Sequence, residues 1–250
     1  NTAIGSRALL QVNSGAQNTA LGYYSGYGIT TGNNNVHIGT LAGEGNTGAS
    51  YLVGIGDDTF RVGGVTSGAN GAVAVGYQAL RKLTSGGKNV AVGYLAGSQI
   101  TTGDSNIALG HQAMDEIISG DRNIAIGHNA IGNAQGGATS GDSKDNIAIG
   151  FQSQGGAWAD AECLKNTSIG SYSLDGALNG ALQNTALGYA SLGAVTQGDN
   201  NVAVGMEAGD NITTGSGNVI IGTVDAAAAD SARTLKIAGY DGSTTTTWIS

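Results

Sequence analysis

The 250-residue chain has 45 Gly, no Pro, a net charge of −8, and only 11% charged and 5% aromatic residues. So few large side chains cannot fill a thick globular core, yet 40% hydrophobic residues, mostly Ala, Val, Ile and Leu, exclude a disordered chain. The acidic balance leaves no basic footprint for nucleic acid, no run approaches the ~20 apolar residues of a membrane span, and a lone Cys163 excludes an intrachain disulfide.

A thin core built from many similar layers reconciles these observations, and the sequence repeats accordingly. The phrase Asn-x-Ala-Φ-Gly, with Φ aliphatic, recurs with its Gly at 5, 22, 39, 56, 76, 93, 110, 127, 150, 170, 188, 205 and 222. Most intervals are 17 residues, and the others are longer by one, three or six, as in a fixed coil that accepts inserted loops. Asn1 opens in the middle of a repeat, so the chain reads as an excerpt of a longer one.

Each phrase predicts a short strand. Position x is β-branched throughout: Thr2, Thr19, Val36, Val53, Val73, Val90, Ile107, Ile124, Ile147, Thr167, Thr185, Val202 and Val219. Position Φ is always Ile, Leu or Val, so x and Φ share one face of the strand. The third position is mostly Ala, which makes both faces apolar and therefore buried. The larger face is expected to fill the coil interior, and the small Ala face to pack against another copy of the chain.

The first position is Asn in all but two rungs, and stacking sets amides such as Asn89, Asn106 and Asn123 about 4.8 Å apart, the spacing of a hydrogen-bonded ladder. A small residue follows three places after each Gly, then a turn such as Thr30-Thr31-Gly32 or Thr101-Thr102-Gly103. The fold class is thus all-β: a parallel β-solenoid or β-roll of about thirteen rungs over 1–222.

The residue after the Gly forms a ring column: Tyr23, Tyr77, Tyr94, His111, His128, Phe151 and Tyr189. It reads as a structural ladder, Tyr77 and Tyr94 foremost, with a glycan-stacking stripe as the alternative. His37 replaces the third-position Ala and reads as a packed residue. His111 and His128 have no Cys or carboxylate at ligand spacing, so no metal or cofactor is expected. Asp and Asn crowd the turns and read as turn caps rather than calcium ligands. Acid pairs such as Asp57–Asp58 or Asp160–Glu162 sit in irregular loops, and no catalytic residue is assigned.

Insertions lengthen 128–149 by six residues and 151–169 by three. The second holds Trp158, Asp160, Glu162 and Cys163. Loops on a rigid scaffold concentrate binding residues, so receptor contact is expected near 133–145 and 154–165, through Trp158, Asp160, Glu162 and Phe151. After Gly222 the phrase ends; Ala226–Ala229 reads as a linker, and 234–249 as two strands around Asp241-Gly242. Residues 223–250 are expected to cap the coil or connect to a following module.

The Asn-x-Ala-Ile-Gly phrase followed by a small residue resembles the head repeats of trimeric autotransporter adhesins. The 17-residue form, as in Asn89–Asn106, is more similar to repeats of phage tail-fibre proteins, as is the run Thr234–Ile249. The resemblance implies a homotrimeric fibre outside the cell, in a virion tail, that takes part in host attachment to a surface glycan. A bacterial surface adhesin is the first alternative, and a glycan-cleaving tailspike the second.

Overall fold

The computed structural model describes residues 1–132, 140–159, 161–240 and 243–249. The chain is an all-β parallel solenoid whose thirteen three-residue strands recur at roughly 17-residue spacing. The only helical elements described are single 3₁₀ turns at Ser67–Ala69 and Ser140–Asp142. The chain forms two compact units, Asn1–Arg122 and Asn123–Ser250.

In the first unit, β1 (Thr2–Ile4), β2 (Thr19–Leu21), β3 (Val36–Ile38), β4 (Val53–Ile55), β5 (Val73–Val75), β6 (Val90–Val92) and β7 (Ile107–Leu109) pair in parallel. Register sets like over like: Val90 lies over Val73, Ala91 over Ala74 and Val92 over Val75. The second unit repeats this through β8 (Ile124–Ile126), β9 (Ile147–Ile149), β10 (Thr167–Ile169), β11 (Thr185–Leu187), β12 (Val202–Val204) and β13 (Val219–Ile221). The sheet continues into β14 (Leu235–Tyr240), parallel to β13, and ends on β15 (Thr245–Ile249), antiparallel to β14.

The strand faces are the reverse of the sequence expectation. The third-position Ala fills the coil, as at Ala74, Ala91, Ala125, Ala148 and Ala203, all fully buried. The x and Φ side chains project outward and stay half-buried or exposed. The inward methyls pack against large aliphatic side chains from the rest of each rung, such as Leu83, Ile100 and Ile117, all buried. At His37 an imidazole replaces the methyl, and both Gly43 and Gly54 must then lack a Cβ, which would lie 2.5 and 2.9 Å from the ring. Elsewhere inside, a large side chain takes up the space that a glycine leaves in the neighbouring rung. Leu80 fills the space beside Gly97, and Leu192 that beside Gly209.

Backbone twist, rather than side-chain bulk, closes each rung. The phrase Gly is left-handed, as at Gly93 (φ 142°), and a Cβ there would run into the Gly110 carbonyl of the next rung. Left-handed non-glycine residues follow at fixed phases: Gln78 and Leu80 then Lys88 in one rung, Tyr172 and Leu174 then Gln183 in another. Each such residue costs roughly 1–2 kcal/mol. Rung-to-rung hydrogen bonds hold them, including Gln78 N–H to Asp57 O (2.9 Å) and Leu80 N–H to Ala96 O (3.1 Å).

Two polar ladders supplement the backbone. Inside the coil, Asn106 donates from both its backbone N–H and its Nδ2 to Asn89 Oδ1 (2.8 and 3.1 Å). Its Nδ2 also reaches the Gly120 carbonyl (2.7 Å). The same bonds join Asn123 to Asn146, Asn166, Asn184, Asn201 and Asn218 in the second unit. At the turns, Asp104 Oδ1 accepts Gly87 N–H (2.6 Å) and Asp199 Oδ1 accepts Leu182 N–H (2.8 Å). The turn acids therefore cap the preceding rung rather than their own turn.

The stretch expected as a linker is a further turn of the coil. Ala229 O accepts the N–H groups of Thr213, Thr214 and Gly215, and Asn211 bonds Ala226 through both N–H and carbonyl. Asp241 and Gly242, the expected hairpin turn, lie outside the described residues.

Candidate functional site

The inverted facing turns the sheet's outer surface into the candidate site. Thirteen rungs present two columns there, x and Φ, made only of Thr, Val, Ile and Leu, with no charge in either. Ile4, Leu21, Ile55 and Val92 are exposed in the first unit, as are Ile169, Leu187 and Ile221 in the second. An ordinary β-sheet face open to water would alternate in polar residues here.

The ring column flanks these strands. Tyr77, Tyr94 and His111 stack face to face, with centroids 5.3 and 5.0 Å apart and planes within 19° and 11°. Each ring covers its neighbour's face and exposes its edge, so Tyr94 offers no free face to a sugar. In the second unit His128, Phe151, Tyr172 and Tyr189 continue at 5.2, 5.2 and 5.7 Å in tilted or edge contacts. Tyr172 was not anticipated. The column position in its rung is Ser171, and the ring of the next residue, Tyr172, stands between Phe151 and Tyr189.

One of the expected receptor residues does not reach the surface. Trp158 is 1% exposed, and its indole N–H donates to Gln154 O (3.1 Å). The inserted loop turns its large ring inward, where the coil gains a packed core residue, so Trp158 leaves the candidate contact set. Phe151 is exposed, but within the ring column. Glu162 is exposed in the insertion. Asp160 and 133–139 lie outside the described residues. Cys163 is buried, and desolvation raises its thiol to about 11, which suppresses thiolate chemistry.

Perturbed acids and the buried histidine are structural as well. Burial alone pushes His37 down to about 4. Its Nδ1 has no hydrogen-bond partner, and Asn46 Nδ2 approaches Nε2 at 3.4 Å. Burial raises Asp115 to about 7 with help from Glu116, and Asp175 to about 6. Asp210 rises to about 6 through desolvation and its bond to Asp225. Among the described residues no three His, Cys, Asp or Glu are placed to hold a metal ion. Nor, among the described residues, is any helix long and apolar enough to cross a membrane.

No protein-family model, curated protein or solved structure matches the chain. The outward face therefore has to be interpreted from its own chemistry.

Proposed function

We propose that the chain is a non-enzymatic, load-carrying segment of an extracellular homo-oligomeric fibre, with a phage tail fibre as the best reading and a bacterial surface adhesin as the alternative. The observation that supports this is the uncharged outward face. Seven strands at about 4.8 Å give each unit a stripe about 34 Å long and, with side chains, about 10 Å wide. Each stripe offers about 340 Å² of flat, uncharged face. A monomer's largest apolar patch is ordinarily about 300–600 Å², and one side of a stable interface about 800 Å². A second and third copy, with the same columns at the same pitch, are the natural cover, and a homotrimer closes all three faces.

Identical exposed loops on the copies would then raise avidity for a host-surface glycan without new contacts. Phe151 and the exposed Glu162 of the insertion remain as candidate contacts.

The test is sedimentation equilibrium of the chain and of Val92→Asp and Leu187→Asp. The parent is expected at three times its 24.6 kDa chain mass. The substituted chains should dissociate, because a carboxylate in a dry interface has no partner. A folded parent that stays monomeric would overturn the reading.

A further inference from the structure

A repeating face poses a problem of its own. Columns that recur every rung are nearly the same after a shift of one rung, so a copy displaced by one repeat meets the same side chains. Register is weakly specified wherever the pattern repeats. An assembly built on such a face needs a non-repeating element to fix where the copies align. We infer that the β14–β15 hairpin is that element, and that Trp248 packs against the hairpin of a second copy as a register clamp. The inference rests on the proposed assembly and specifies how it is aligned.

The geometry of the hairpin carries the argument. β14 extends both outward columns without a break, since Leu235 pairs with Val219 and Ile237 with Ile221. The next outward position is Gly239, opposite Thr246. The β14–β15 pairing shifts by one residue at Ile237/Ala238, which leaves Trp248 as the extra residue of a bulge. Its ring lies on the outward side over Gly239, where a Cβ would come 2.7 Å from the indole. Bulge and glycine together aim this one ring onto the face.

Trp248 is 67% exposed, against 1% for Trp158, the only other tryptophan. Tyr240 and Ile249 of the same hairpin are exposed too, and every residue of β15 is open. No other position of the outward columns carries a ring. The occupant that fits is the same hairpin of another copy. It brings a matching apolar surface with no charge on the shared side and continues the face that the other rungs present. When the copies run parallel and level, the Trp248 rings meet. A slip of one rung would instead set one ring against the smaller aliphatic columns a rung below and leave the other beyond its partner's last strand.

The experiment compares the full chain with Trp248→Ala and Trp248→Phe. Sedimentation velocity of the parent and of Trp248→Phe should give one boundary of closed assemblies. Trp248→Ala should keep its circular dichroism but spread into several boundaries, because staggered copies leave uncovered face at both ends and recruit further chains. A single parent-like boundary for Trp248→Ala overturns the clamp.

Acrylamide quenching gives a second measure that needs no alanine variant. The difference between the parent and Trp248→Phe isolates Trp248 emission from that of Trp158. Shielded emission in the assembled parent is expected. An assembly in which Trp248 quenches as freely as a tryptophan amide overturns the clamp while leaving the covered face standing. A monomeric parent overturns both.

Discussion

Replacing Asn184 with Leu tests the interior amide ladder where its bonds are fully described. Asn184 Nδ2 donates to Asn166 Oδ1 (3.1 Å) and to the Gly198 carbonyl (2.7 Å). Its Oδ1 accepts the Asn201 backbone N–H and Nδ2, both at 3.0 Å. Leucine matches the size and makes none of these bonds. Asn166 Oδ1 keeps the backbone N–H of residue 184 (3.0 Å), and Asn201 Nδ2 keeps Gly215 O (2.8 Å). Two buried groups lose the partner named here: the Gly198 carbonyl and the Asn201 N–H. At about 1–3 kcal/mol for each, the cost is about 2–6 kcal/mol per chain. For a chain of this size that lowers Tm by about 5–20 °C.

Thermal unfolding followed by circular dichroism measures it. An unchanged Tm would mean that water reaches the ladder and that the amides are not structural. Asn184→Asp refines the test. A buried carboxylate can still accept from Asn201 but donates to Gly198 only when protonated. Its folded pKa is thus raised, so the variant should approach parental stability at low pH and lose it as pH rises through that value.

Three further substitutions probe other features. Lys88 is exposed and left-handed (φ 59°), so Lys88→Gly should equal or exceed the parent, while Lys88→Val should lower stability by about 1–2 kcal/mol, as urea midpoints would report. His37 is held near 4, below its ordinary 6.5, so the unfolded chain binds its proton first. The parent should lose about 3 kcal/mol as pH falls from 6.5 to 4, and His37→Ala should lack that slope in pH-dependent urea melts. Asp115 is raised to about 7, so its contribution has the opposite sign: it is present at low pH and lost as pH rises through about 7. Asp115→Asn should therefore gain stability over the parent above pH 7 and not below 4, measured in the same way.

The strands and their register were legible because three constraints act on five consecutive residues. The first is a β-branched x, the second an aliphatic Φ, and the third an amide that must find its counterpart one rung away. Asn89 and Asn106 could be paired from spacing alone, and the ladder of Tyr77 and Tyr94 followed from the same spacing. The facing was not legible, since period-2 alternation says which residues share a side but not which side is inside. The hidden quantity is the thickness of the coil, which Gly43 and Gly54 reveal only once His37 is seen between them. The left-handed phases were invisible because Leu80, Gln78 and Lys88 occupy them, and none of these residue types advertises a positive φ. Trp158 misled for a related reason: an inserted loop looks exposed in sequence, but this one folds its ring beneath itself.

The inverted facing changes what holds such a chain together. On the strands, methyls and amides face inward while the aliphatic x and Φ groups stay half-buried or exposed, and the large buried aliphatics come from the rest of each rung, as at Leu80 and Ile117. One unit's outward stripe of about 340 Å² is worth roughly 8 kcal/mol at ~25 cal/mol per Å². Association costs on the order of 4–15 kcal/mol, the same size as that gain, so contacts beyond the columns bear on the assembly as well. The same arithmetic exposes the register problem. One rung contributes about 48 Å², or about 1.2 kcal/mol, so a one-rung slip is disfavoured by less than tenfold per face. An aromatic side chain buries about 150–250 Å², and covering the exposed two-thirds of Trp248 adds roughly 3 kcal/mol that only the level alignment recovers. A single ring at the end of the sheet therefore contributes more to alignment than two rungs of the repeat.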